Sequence, residues 1–492
     1  MRRQILLVAL PPILIVIAIY VWFVSIGTWT SWPTASTYYN QLANAFARGQ
    51  LWLGLKPNGA LLALPNPYDP ALRTGVTFLS DASLYKGRDY LYFGPVPALL
   101  ILPVKALVPV VVPDQYLVFA FTCATFVVMS LFLLKIWRRF HKGLSPWIVP
   151  IGILAVGLTS PFGWILGSGA SVHDVAISAG QFLFLAGFYA AFAALDGAAI
   201  SSRKAAIAGI LWAGALGSRI TQIVPIAFMV VMVLTYAMGR QRRLINPAAT
   251  ARGILALVLP VLLGLTALGW YNWARFGSVM ETGITYQLAL LNLQKYRHDI
   301  FSLKYVLQNL YNYLLMFPKL RYNFPYIWPR MGIRTPIGAA FGLPSLYFAE
   351  EITGLVYTAP FLISAFIVAI ANRPGAREIT DNQGALSRWL SAALGGSFLS
   401  GFAVFLVFFW ASERYLLDFI PCALLLAMFG FWQGTQSARG WPFGRAALIS
   451  VGLLLLLISA LISSLLAIAQ NADGFRALNP ILWQQLNNLF RP

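Results

Sequence analysis

Ten apolar runs, each near the ~20 residues a helix needs to cross a hydrocarbon core, recur at 5–25, 116–134, 146–165, 175–195, 220–238, 254–273, 352–370, 389–409, 415–431 and 446–466. No other feature limits the fold so tightly. Lipid offers no partner to a backbone N–H or C=O, so each run must close its own hydrogen bonds as a helix. A shorter Gly-rich run, 205–217, ends at Gly217-Ser218-Arg219. Joined to 220–238 it would make one helix much too long, so it counts as an eleventh span. With 59% hydrophobic and 10% charged residues, a soluble core is excluded. The expectation is an all-α polytopic membrane protein of about eleven transmembrane helices. Cys123 and Cys422 lie inside apolar runs, which argues against a disulfide framework.

The net charge of +20 would suggest nucleic acid in a soluble protein. Here it sorts with topology instead, and no nucleic-acid partner is expected. Placing the N-terminus inside puts Lys135, Arg138, Arg139 and Lys142 on one cytoplasmic connection and Arg203 and Lys204 on the next. Arg240, Arg242, Arg243 and Arg252 follow, then Arg373, Arg377 and Arg388, and finally Arg439 and Arg445. Only Asp196, Glu378 and Asp381 accompany them. This is the bias that orients membrane proteins. Arg2 and Arg3 precede an apolar run without a small-residue cleavage pattern, which reads as an uncleaved signal anchor.

Phe93 to Val112 is long enough to span but contains Pro95, Pro97, Pro103, Pro109 and a central Lys105. Proline breaks helices and a mid-bilayer Lys is costly. The run is therefore predicted to lie along the outer interface. Two large outer loops remain, 26–115 and 274–351, with an outer amphipathic segment at 471–492. In the first loop Tyr39, Leu42, Ala43 and Phe46 follow helical spacing, with Gly49 as a stop. In the last segment Leu482, Leu486, Leu489 and Phe490 share a helical face.

The first loop carries Asp81-Ala-Ser-Leu-Tyr-Lys-Gly-Arg-Asp-Tyr-Leu-Tyr-Phe-Gly94. Lipid gives no reason to keep such a cluster of charge and aromatic rings at a membrane face, whereas a phosphorylated, hydroxyl-rich ligand does. Asp81 and Asp69, the latter in the rigid Pro65–Pro70 turn, are candidate bases or hydroxyl ligands. Lys86 and Arg88 are candidates for phosphate, and Tyr85 and Tyr92 for a sugar face or lipid tail. The bland alternative is a turn with surface ion pairs. His173 and Asp174 open the fourth span. Asp174 is a site candidate or a helix cap, and His173 has no companion at metal-ligand spacing. Arg219 interrupts an apolar stretch and needs a named partner, a lipid phosphate or Asp174. Arg275 and Glu281 stand at the end of the seventh span, to read phosphate and hydroxyls respectively, or to serve as part of an aromatic belt. Glu413 and Arg414 open the tenth span. Arg414 and Asp418, four apart, are expected to pair on one helical face, and a guanidinium there is also a bidentate phosphate ligand.

Taken with Tyr38-Tyr39-Asn40-Gln41-Leu42 after the first span, the Gly-Arg-Asp-Tyr-Leu-Tyr-Phe-Gly-Pro-Val-Pro run and Glu413-Arg414-Tyr415, the chain resembles the GT-C superfamily of integral-membrane glycosyltransferases. Within it, the likeness is to bacterial relatives of protein O-mannosyltransferases and lipid A aminoarabinose transferases. The resemblance covers most of the chain through short motifs. It implies an inverting transferase of the bacterial inner membrane that uses a polyprenyl-phosphate sugar. An Asp of the first outer loop would deprotonate the acceptor while basic residues (Lys86, Arg88, Arg219, Arg275, Arg414) hold the lipid phosphate. Many relatives carry an acid just after the first span, whereas residues 27–47 here contain none. Either the base comes later, from Asp81 or Asp69 with Asp174 a further candidate, or the protein is not active by that mechanism. Tyr85, Tyr92, His173, Glu281 and Glu413 would touch sugar or acceptor. The acceptor (glycan, lipid or protein) is not written in these residues. These residues specify no cofactor, and a divalent cation is compatible with the carboxylates. The alternative class is a transporter or flippase of a lipid-linked sugar, which should show broken helices around mid-membrane polar residues.

Overall fold

A computed structural model describes residues 2–33, 36–108, 110–159, 161–167, 169–197, 199–241, 247–371 and 382–489. Its principal helices are α1 (Arg2–Val24), α2 (Tyr38–Phe46), α3 (Val96–Leu107), α4 (Asp114–Phe140), α5 (Ile148–Leu158) and α6 (Phe162–Gly167). They continue with α7 (Val172–Leu195), α8 (Ser202–Leu216), α9 (Ile223–Gln241) and α10 (Pro247–Phe276). The last are α11 (Phe366–Ala371), α12 (Asn382–Leu406), α13 (Ile420–Ser437), α14 (Pro442–Gln470), α15 (Ala472–Leu478) and α16 (Pro480–Leu489). Six are long and apolar enough to cross a membrane: α4, α7, α9 with the turn before it, α10, α12 and α14.

Two of the other expected spans are interrupted, for local reasons. The 146–165 run stops at Leu158 and resumes at Phe162, just past Pro161, which cannot continue a hydrogen-bonded turn. The 352–370 run divides at Pro360 into a turn of helix, a 3₁₀ stretch and α11. α3 has 12 residues and at 1.5 Å per residue reaches only ~18 Å, too short for a ~30 Å hydrocarbon core.

The 15-residue α8 is wedged between α7 and α10. A Cβ on its Gly209 would meet the Leu257 carbonyl at 2.3 Å, so only glycine permits this approach. On its other side the Trp212 indole donates to the Phe184 carbonyl at 3.1 Å.

One end of the bundle gathers the starts of α4, α7, α9 and α13 with the ends of α1, α6, α8, α10, α12 and α14. Asn471 after α14 donates to the Gly167 carbonyl (2.6 Å), and Asn479 to the Gly27 carbonyl (3.0 Å). The long segments 26–113 and 277–354 fold over this end. Their strands are short: a hairpin of Ser83–Tyr85 with Arg88–Tyr90, and small ladders that include a parallel pair, Phe348–Ala349 with Trp410–Ala411. α16 lies here too, with Leu482 against Gly27 and Leu489 72% exposed; Phe490 is outside the described residues.

The opposite end carries short basic connections. Lys135 and Arg139 both reach Asp196, at 2.6 and 2.8 Å. His141 bonds Gln436, and Arg439 donates to the Gly143 carbonyl. Arg242, Arg243, Arg373, Arg377, Glu378 and Asp381 are outside the described residues.

Candidate functional site

Asp81 owes its position to strand pairing between the two long segments. Asp81 N–H donates to the Leu288 carbonyl (3.3 Å) and Leu288 N–H to the Ala82 carbonyl (2.8 Å). This sets Gln287 beside Asp81, and its side-chain amide donates to Asp81 Oδ1 at 2.9 Å. Asp81 has φ 58°, a left-handed conformation that Asp tolerates better than most residues, and it bends the chain into the hairpin. Beyond the hairpin, the segment docks on the end of α8. Val96 N–H donates to the Gly217 carbonyl at 3.0 Å, and a Cβ on Gly94 would lie 2.1 Å from that oxygen.

His173 Nε2 stands 3.3 Å from Asp81 Oδ2, and its Nδ1 is 2.6 Å from Ser171 Oγ. Ser171 is the N-cap of α7 in a reciprocal capping box with Asp174. The Ser171 backbone N–H and hydroxyl both donate to Asp174 Oδ2, at 2.8 and 2.9 Å. A hydroxyl has one proton to give. With that proton on Asp174, Ser171 Oγ accepts from His173 Nδ1–H. Asp174, 2% exposed, is thus a helix cap and also a member of the cluster, and its Oδ1 has no hydrogen-bond partner among the described residues.

Glu350 is brought in by the parallel strand pair, where its N–H donates to the Ala411 carbonyl at 2.9 Å. Its Oε2 accepts from Arg414 (2.6 Å) and from Ser412 (2.5 Å). Arg414 therefore does not pair with Asp418. Residues 413–418 form a 3₁₀ helix with three residues per turn, so positions four apart diverge by about a third of a turn. Asp418 points inward and pairs with Arg219 at 3.2 Å, with Gln222 donating to its other oxygen at 2.9 Å. Asp418, not Asp174, is the protein partner of Arg219, and the guanidinium also lies 5.3 Å from the Tyr415 ring centre.

Burial pushes the Asp81 carboxyl up, but the hydrogen bond and charge of His173, the Gln287 bond and the charge of Arg414 outweigh it. Its pKa lies below the usual carboxylate value. Burial opposes the charge on Arg414, and Asp174, Glu350 and Tyr415 outweigh that. Tyr92 packs at a tilt against Phe93, whose ring meets His173 edge-on. Asp81, His173, Asp174, Arg414, Glu350 and Tyr92 thus form one charged cluster at the helix ends, with the Arg219–Asp418 pair next to it.

The remaining candidates are engaged elsewhere. Lys86 and Gly87 form the hairpin turn, with φ 48° and 71°. Lys86 lies over Tyr85 and Arg88 over Trp52, both cations exposed. Tyr85 packs on Phe276 and Tyr286. Asp69 caps a 3₁₀ turn by accepting from Ala71 N–H at 3.1 Å. Glu281 closes its own turn through Gly283 N–H and Thr285 Oγ1. Arg275 is 4% exposed and is held by the Leu91 carbonyl, Asn272 and the Tyr271 ring. Glu413, 1% exposed, accepts from Thr353 N–H at 2.9 Å.

Sequence reasoning missed Ser171, Gln287 and Glu350. Only the Glu350-Glu351 pair, two acids closing a loop beside an apolar run, offered a signal. Among the described residues no three His, Cys, Asp or Glu side chains are grouped so as to hold a metal ion.

No family profile matches the chain, and no curated protein matches it in sequence. Its fold is similar to the oligosaccharyltransferase of Archaeoglobus fulgidus in the apo form, at 11% identity and TM-score 0.50, over 94% of this chain and 56% of that one. The chain thus spans little more than half the length of that protein. The archaeal enzyme AglB in complex with an inhibitory peptide and a dolichol-phosphate gives 12% identity and TM-score 0.46, over 98% and 59% of the two chains. ArnT from Cupriavidus metallidurans bound to undecaprenyl phosphate gives 12% and 0.40, over 96% and 76%. At this identity the likeness to the archaeal oligosaccharyltransferase is one of fold.

Proposed function

We propose that this chain is an integral-membrane glycosyltransferase that moves a sugar from a polyprenyl-phosphate donor to an acceptor at the outer face of the bacterial inner membrane. The observation that carries this reading is that Asp81, paired with His173, lies within electrostatic reach of Arg414, far away in sequence. The GT-C fold supports the general kind of reaction.

Asp81 takes the proton of the acceptor hydroxyl as that oxygen bonds to C1 of the sugar. The bond from C1 to the phosphate oxygen breaks, and the electron pair leaves with the polyprenyl phosphate. Both Asp81 oxygens have partners, yet each keeps a second lone pair for the incoming proton. His173 and Gln287 hold the carboxylate in orientation. Arg414 stabilises the departing phosphate, where charge develops, and Tyr92 and Phe93 offer a wall for the sugar. Arg219, tied to Asp418, lies against the Tyr415 ring behind it.

A structure with a polyprenyl phosphate tests the reading: its phosphate should lie within hydrogen-bond distance of Arg414. A phosphate found at Lys86 and Arg88, or at the Lys135 end, would defeat it. Orientation is checked separately. A cysteine placed at Gly143 should label only from the cytoplasm and one at Gln294 only from outside.

The interrupted segments α5–α6 and 355–371 are the one feature that favours the transporter class, in which broken helices form the site. The charged cluster sits at helix ends instead. Movement of a lipid-linked sugar across vesicles without any sugar transfer would favour that class.

A further inference from the structure

A groove of about 610 Å³ opens between α2 and α3, lined by Ala43, Ala47, Leu102, Ala106 and Val111, with Lys105 among them. It shares no residue with the charged cluster and uses the next face of α2 round from Tyr39. Its volume is in the range of small-ligand sites.

Two properties point to an occupant. First, α3 is apolar and too short to cross a bilayer, and it exposes Leu99, Leu100, Val104 and Leu107 at 46%, 47%, 51% and 84%. Such a helix rests along a lipid interface, so the groove opens where acyl chains are at hand.

Second, the Lys105 ammonium is fixed by neutral acceptors alone: Asn40 Oδ1 at 2.6 Å and the Val110 carbonyl at 2.9 Å. Asn40 is itself 5% exposed and is braced by the Val112 N–H at 3.1 Å. An ammonium has three donors, and among the described residues only two are used. None of the ion pairs among the described residues involves Lys105, and no acid lines the groove. A positive charge held rigidly at the rim of an apolar slot fits an anionic head with an attached chain.

We propose that this groove binds one anionic phospholipid of the bilayer, its phosphodiester on Lys105 and one acyl chain between α2 and α3. The lipid braces α2, whose Tyr39 is buried beside the Arg219 layer, and so makes the stability of the site end depend on lipid charge. This goes beyond the proposed transfer and does not need it.

The test uses the full chain in nanodiscs of equal parts phosphatidylglycerol and phosphatidylcholine, with tightly held lipid counted by native mass spectrometry. One phosphatidylglycerol should be retained in preference to phosphatidylcholine. Lys105→Gln should lower that preference about tenfold, the loss of one charge-assisted hydrogen bond. Ala106→Trp, at an exposed position, should fill the slot and abolish retention of either lipid while leaving Lys105 in place. Equal retention of the two lipids by the parent, or undiminished phosphatidylglycerol on Ala106→Trp, overturns the proposal. So does displacement of phosphatidylglycerol by added undecaprenyl phosphate, mole for mole, which would give the groove to the donor. Each result is read without any sugar transfer, so failure of the transferase reading would be seen separately.

Discussion

The base and the tip of the 81–94 segment sit side by side in sequence but belong to different parts of the molecule. At the base, Asp81 and Tyr92 are drawn into the charged cluster by Gln287, His173 and the Gly94–Gly217 contact. At the tip, Lys86 on the two-residue turn and Arg88 at the start of the strand after it are both exposed, and they lie over the rings of Tyr85 and Trp52. The hairpin between them carries a buried interior residue, Asp89, paired in register with Leu84. Density of charge in sequence therefore marks the segment, but among the described residues the one charge in it that forms an ion pair is Asp81, at the base. A cation becomes part of a site when tertiary packing gives it carboxylates and limits its water, as happens to Arg414 and not to Lys86.

The largest effect is expected at Asp81. Asp81→Asn is expected to lose at least ~10²-fold in turnover, the usual lower range for general-base help, while donor binding survives. Asp69→Asn, a turn cap, should stay near the parent. Single-turnover transfer of a labelled sugar measures both, and the reverse ranking would move the base to Asp69.

Arg414→Ala should weaken polyprenyl-phosphate binding by ~1.5–3 kcal/mol, the range for a hydrogen bond to a charged group. A binding titration shows this. Glu350→Gln, which removes the competing carboxylate, should not weaken binding. If Arg414→Ala folds and binds like the parent, the guanidinium only anchors Glu350.

Asp89 sharpens the contrast from the hairpin side. Burial raises its pKa to about 6, above the ~3.9 of an unfolded Asp. The folded state holds this proton more tightly, so stability falls as pH rises from about 4 to about 6, and the full cost persists above that window. Asp89→Asn should therefore stabilise the protein at pH 8 by on the order of 2 kcal/mol and change little at pH 4. Thermal unfolding at the two pH values decides it, and equal effects at both would show that the carboxyl is well solvated.

The smallest effect belongs to the tip. Lys86→Ala and Arg88→Ala should each leave donor binding and stability within about 0.5 kcal/mol of the parent, as exposed substitutions do. A loss matching that of Arg414→Ala would erase the distinction between base and tip.

Apolar run length, the grouping of basic connections and the proline content of 93–112 determined by themselves that this is a helical membrane protein with two large polar segments and a short helix, α3. These follow from hydrogen-bond closure in lipid and from chain geometry, which act locally. The same local logic placed α2 and gave Asp174 its capping alternative. It also favoured Lys86, Arg88, Arg275 and Glu281, because a charge beside aromatic residues looks the same in sequence whether it faces a ligand or its own backbone. Only the tertiary structure decided which of them have distant partners. Asp81 depends on strand pairing with Leu288, Arg414 on a parallel pair that delivers Glu350, and Arg219 on a 3₁₀ turn that rotates Asp418 inward. Each contact joins segments that lipid-driven helix formation leaves independent, and close packing alone brings them within hydrogen-bond reach.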